Sequence, residues 1–111
     1  MNRRTIAAML PMMALAGCEM DVTVTGMLGA DEPLTGSMTQ YADGGTIELF
    51  GGPRTHCVGN FTYGRGKDRF DGGGTLVCDD RRMGPFTFRL DGMKHGRGTG
   101  SLSGVPYRFS F

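Results

Sequence analysis

The chain has 111 residues, a formal net charge of +1 and twenty glycines. That length bounds it to one small domain, and the glycine content disfavours helix. The near-neutral total hides an asymmetry. Cys18 to Pro53 carries Glu19, Asp21, Asp31, Glu32, Asp43 and Glu48 with no Lys or Arg, whereas Arg54 onward carries ten basic residues against five acidic ones. Read linearly, an acidic half near the N-terminus precedes a basic distal half suited to an anionic partner.

Arg3 and Arg4 precede an apolar run from Ile6 to Ala16, too short for the ~20 residues that span a bilayer. The run ends in Leu15-Ala16-Gly17-Cys18, which resembles the lipobox of bacterial lipoproteins. The resemblance implies a signal peptide over 1–17 and cleavage before Cys18. It also implies a diacylglycerol on the Cys18 thiol and an acyl chain such as palmitate on the new amino group. Residues 18–21 would then form a short tether, and 22–111 one all-β domain facing the periplasm. Glu19 is not the Asp that signals inner-membrane retention in that family, so the outer membrane is the expected address. With Cys18 spent on lipid, Cys57 and Cys78 are left as the one possible disulfide, which an extracytoplasmic compartment permits.

In chain order, Val22-Thr23-Val24-Thr25 alternates β-branched residues and reads as a first strand continuing to Leu28. Gly29 to Pro33 reads as a turn or loop, because proline cannot donate to a ladder. A repeat follows: Gly36-Ser37-Met38-Thr39, Gly59-Asn60-Phe61-Thr62 and Gly84-Pro85-Phe86-Thr87, at offsets of 23 and 25 residues. Each copy leads through a polar turn to a second glycine cluster at Gly44-Gly45, Gly72 to Gly74, or Gly96 and Gly98. Repeats of this length are single supersecondary units. The pattern predicts three tandem hairpins near 34–50, 57–78 and 84–103, with Asp-Gly and Gly-rich turns supplying positive φ. Phe86, Phe88 and Leu90 share one face, with Thr87 and Arg89 on the other. Pairing Cys57 with Cys78 sets Gly59 against Leu76 and puts the turn near Lys67-Asp68. Tyr107, Phe109 and Phe111 line one face of a last strand. The expected fold is all-β, a small antiparallel sheet, sandwich or partial barrel of about seven to eight short strands.

The third unit resembles a MORN repeat through Gly92-Met93-Lys94-His95-Gly96-Arg97-Gly98 and Gly104-Val105-Pro106-Tyr107. The middle unit is similar through Gly59, Phe61 and Gly72 to Gly74. That family stacks hairpins into an elongated sheet for protein contacts, self-association and membrane proximity, so the resemblance implies a binding or scaffolding module.

No reading of the residues yields an active site. Ser101 and Ser103 pair with His95 and Asp91 only on paper, with no nucleophile-elbow pattern around either serine. His56, His95, Asp79 and Asp80 lack the spacing of a metal site, so no metal or other cofactor is expected. The basic residues lack the aromatic platforms that bind single-stranded nucleic acid. A non-enzymatic structural or protein-binding envelope module is therefore expected, bound to the membrane through its lipid and to an envelope protein or anionic component. The candidate partner surface is Arg65, Lys67, Arg69, Arg81, Arg82, Lys94 and Arg97. The alternatives are a carrier or inhibitor holding a ligand against Phe61, Phe86, Phe88, Tyr107 and Phe109, and a hydrolase.

Overall fold

The computed structural model describes residues 19–64, 71–92 and 94–111. The signal-peptide reading of 1–17, the lipidation site Cys18, and Arg65, Lys67 and Arg69 lie outside the described residues. Eight strands follow one another: β1 Met20–Leu28, β2 Glu32–Gln40, β3 Gly44–Phe50, β4 His56–Tyr63, β5 Asp71–Cys78, β6 Met83–Leu90, β7 Gly96–Leu102 and β8 Val105–Ser110. Each pairs antiparallel with the next, and β8 returns to β1 through Thr25 opposite Ser110 and Leu28 opposite Tyr107. The sheet is a closed up-and-down barrel, so the expected all-β fold is present and no strand edge is left open. The three predicted hairpins are β2–β3, β4–β5 and β6–β7, closed by β1 and β8.

Followed once round the sheet, the pairings return to β1 displaced by about eight residues. Eight strands with that stagger tilt by ~36° and enclose just enough room for side chains to fill. The alternation decides which side chains those are. Val24, Met38, Ile47, Leu49, Phe61, Leu76, Phe86, Phe88, Tyr107 and Phe109 point inward and are buried. Outward positions on the same strands carry Thr23, Thr25, Thr46, Thr62, Thr75, Thr87 and Thr99.

A narrow interior cannot hold a large side chain at every inward position, and the glycines resolve this. A Cβ on Gly72 would lie 2.5 Å from the Phe88 ring, one on Gly96 2.5 Å from Phe111, and one on Gly45 2.8 Å from Phe61. Gly98 and Gly100 stand in the same relation to Phe109 and Tyr107. Large and absent side chains thus alternate between neighbouring strands, as the taper of a small barrel demands. The rings pack on one another: Phe88 lies 5.0 Å from Phe61, 5.9 Å from Phe111 and 6.4 Å from Tyr63, centroid to centroid.

The glycine clusters that follow the turns, Gly72 to Gly74 and Gly96 and Gly98, sit within strands, and the described glycines with positive φ are Gly29, Gly92 and Gly104. This arrangement corrects two expectations. Pro33 is inside β2, opposite Met27, because its side chain faces outward and the closed ladder carries on around the missing donor. β1 begins at Met20, so Met20 and Asp21 belong to the sheet and not to a tether.

Cys57 and Cys78 stand directly opposite each other and are disulfide-bonded inside the barrel, in the register that sets Gly59 against Leu76. Polar groups close both mouths. At the mouth nearer the disulfide, the Glu32 carboxylate accepts from Thr55 Oγ1 at 2.7 Å and from the Gly52 amide at 2.9 Å. Arg82 donates to Thr55 Oγ1 at 3.0 Å and to Asp80 at 2.8 Å. The Thr55 hydrogen bond, helped by the Gly52 amide, holds the Glu32 carboxyl below the usual range. At the other mouth, Tyr63 donates to Gln40 Oε1 at 2.8 Å. The whole core, the disulfide and the closing ladder lie within 20–111, so this segment contains everything that its fold rests on.

Candidate functional site: an arginine cleft on the outer face

Because rings fill the barrel, the surface available to a partner is the outside. A depression of about 770 Å³ crosses the outer faces of β6, β7, β8 and β1. Strand alternation aims Arg89, Arg97 and Arg108 into it, each next but one to a hydroxyl: Thr87, Thr99 and Ser110. Arg89 stands directly opposite Arg97, and Arg108 directly opposite Thr99. Directly opposed side chains sit ~5 Å apart at Cβ and diagonal ones ~7–8 Å, so the three guanidinium stems form one cluster.

Like charges directly opposite each other destabilise a sheet. Two carboxylates partly offset this: Asp71 faces Arg89 across β5–β6, and Asp91 lies 3.7 Å from Arg97. Arg97 is 81% exposed and Asp91 53%, so that pair is loose and solvent-screened. Arg108 has no carboxylate partner among the described residues. Local breaches of a pairing rule are expected at functional sites. The cluster can hold an anion through charge-assisted, fork-shaped hydrogen bonds.

The described members of the predicted partner surface do not form one patch. Arg97 lies in the cleft and Lys94 in the β6–β7 turn at the same end. Arg81 and Arg82 lie in the β5–β6 turn at the opposite end, where Arg82 is committed to Asp80 and Thr55. The acidic and basic stretches are not near and distal halves either, since every strand runs the height of the barrel. They become two flanks: β1 to β3 acidic, and β6 to β8 with Arg89, Lys94, Arg97 and Arg108 against Asp91 alone. Arg89 and Arg108 are cleft residues that the sequence reading missed. The signal was present as an Arg two residues from a hydroxyl, on one face, in three successive strands.

The other candidate groups are placed apart. Ser101 and Ser103 are at the disulfide end, His95 and Asp91 at the other, so the paper triad is not assembled. His56 is held on both sides: Nδ1 donates to Asp79 Oδ2 at 2.9 Å and Nε2 to Glu48 Oε2 at 2.7 Å, with Phe50 stacked on the ring at 4.7 Å. Carboxylates only accept, so both bonds are complete when the ring carries both protons. The bond to Glu48, then the bond to Asp79, raises the His56 pKa above its ordinary value. Among the described residues no three His, Cys, Asp or Glu side chains are grouped to hold a metal. The Tyr107 hydroxyl is buried beside Gly100 without a hydrogen-bond partner among the described residues, and burial pushes its pKa up.

No family model, curated protein or solved structure matches this chain.

Proposed function

We propose that the chain is a lipid-anchored envelope protein that works by binding, not by catalysis, and that it binds with the outer arginine cleft. Cys18 carries the anchor, the barrel faces the periplasm from the outer membrane, and the partner is an anionic envelope component. The observation that carries this reading is the interior. The five aromatic rings that a carrier would offer to a ligand are 2–4% exposed and spent on one another. A largely exposed, hydrogen-bonding cationic cleft is what remains for recognition.

A photo-cross-linking side chain placed at Thr99, in the cleft, or at Thr46, on the acidic flank, tests it in the cell envelope. Thr99 is expected to capture a defined component and Thr46 not to. An apolar ligand that co-purifies one-to-one with the barrel and is released only on unfolding would instead establish the carrier.

A further inference from the structure

We infer that the arginine cleft is a phosphate site, and that the phosphates it meets are lipid headgroups of the leaflet holding the chain. This rests on the anchored reading above and adds the ligand's chemistry and the place where it is met.

The topology sets the place. β1 begins at Met20, two residues beyond the acylation site, and two extended residues reach at most ~7 Å. The rim that contains the start of β1 must therefore lie against the bilayer surface. That rim also carries the ends of β2, β4, β6 and β8 and the starts of β3, β5 and β7, because the strands alternate in direction. Arg89 is one residue before the end of β6, and Arg97 one residue after the start of β7. At ~3.3 Å per residue both stems stand just above the rim. The polar headgroup layer is roughly 5–8 Å deep on each side of the hydrocarbon. Arg89 and Arg97 thus stand at headgroup depth, with Arg108 higher on the same face.

The charge distribution sets the orientation. An anionic surface repels the β1–β3 flank, which has six acidic residues and no Lys or Arg over 19–53. It attracts the β6–β8 flank, where four basic residues face one acidic one over 83–111. A barrel tethered through β1, the neighbour of β8, leans its arginine cleft onto the lipid.

The donor set selects the group. Three guanidinium stems on adjacent strands, with the Thr99 and Ser110 hydroxyls between them, present more donors than the two oxygens of a carboxylate can take. A terminal phosphate, as in phosphatidic acid, offers three oxygens, one to each arginine, and matches the planar guanidinium fork. It also adds to the negative charge that Asp71 and Asp91 bring beside the directly opposed Arg89 and Arg97.

The test uses the chain from residue 19, which keeps every strand and the disulfide but not the lipid. Its binding is measured to vesicles of phosphatidylcholine alone, or with phosphatidic acid, or with oleate at matched surface charge. Phosphatidic acid is expected to bind at least about tenfold tighter than oleate, the scale of one charge-assisted hydrogen bond. R97Q and R108Q should each remove about tenfold of that affinity. R54Q deletes the same charge at the opposite end of the barrel and should change it less than about twofold. Equal binding to oleate and phosphatidic acid, or equal losses from R54Q and R97Q, would overturn the phosphate site in favour of general surface charge. Binding of inorganic phosphate with no preference among the vesicles would overturn the headgroup as its source. Acylation is read separately, by mass spectrometry of the full chain. An unacylated Cys18 with the vesicle preference intact would refute the anchor and leave the phosphate site. An acylated Cys18 with no preference would refute the site alone.

Discussion

Truncating Phe88 to alanine asks whether the barrel is filled. Phe88 is 3% exposed and lies within 6.5 Å, centroid to centroid, of Phe61, Tyr63, Phe86 and Phe111, while Gly72 leaves room for its edge. A phenylalanine of this kind buries about 150–250 Å². At about 25 cal/mol per Å² that is worth ~4–6 kcal/mol as an upper estimate. Truncations of buried phenylalanines cost about 3–5 kcal/mol, because the surroundings collapse only in part. A loss of ~4 kcal/mol is a large share of the 5–15 kcal/mol typical of a domain, and corresponds to a fall in Tm of roughly 15–30 °C at this size. Urea unfolding of the oxidised protein, followed by tyrosine fluorescence and circular dichroism, measures it. A loss under ~1 kcal/mol with unchanged denaturant dependence would mean that the ring lines open space. The packed interior, and the binding mode inferred from it, would then be wrong.

Three further outcomes are expected. Gly98→Ala should destabilise by ~1–3 kcal/mol through overpacking against Phe109. Phe109→Leu in the same chain should recover part of that loss, whereas strict additivity in a double-mutant cycle would contradict the ring–glycine fit. Replacing Cys57 and Cys78 by serine opens a link of sequence separation 21 and should cost at least ~3 kcal/mol; two free thiols in the exported protein would remove the premise. The two carboxylates that raise the His56 pKa add stability that is fully present below the ordinary imidazole value and is lost as pH rises through the raised one. The Tm difference between wild type and His56→Gln should accordingly shrink with rising pH, and a difference that grows would show that the clamp does not favour the imidazolium.

The period-2 alternation at Phe86-Thr87-Phe88 and the three-fold recurrence of Gly-x-apolar-Thr made strands and hairpins legible. The cysteine spacing made the β4–β5 register legible for the same reason, since local pairing leaves a local pattern. Closure was not legible. Thr25 meets Ser110 across almost the whole domain, and nothing near either residue marks the contact. Closure also gives the inward glycines their meaning: along the chain Gly72 and Gly96 are only members of recurring clusters, and a narrow interior shows them as room for Phe88 and Phe111. The cleft was hidden in the same way. Arg89, Arg97 and Arg108 are spread over three strands and become neighbours only through the β6–β7–β8 register, whereas Arg82, next to Arg81 in sequence, is drawn into the Glu32 network.

Binding by the outside of the barrel can be read from the nuclear magnetic resonance signals of the chain from residue 19 during titration with a short-chain, water-soluble phosphatidic acid. Shifts are expected at the side-chain Nε–H groups of Arg89, Arg97 and Arg108, with the ring signals of Phe61, Phe86, Phe88 and Phe109 unmoved. Shifts in those interior rings with silent arginines would contradict it and make the barrel a container.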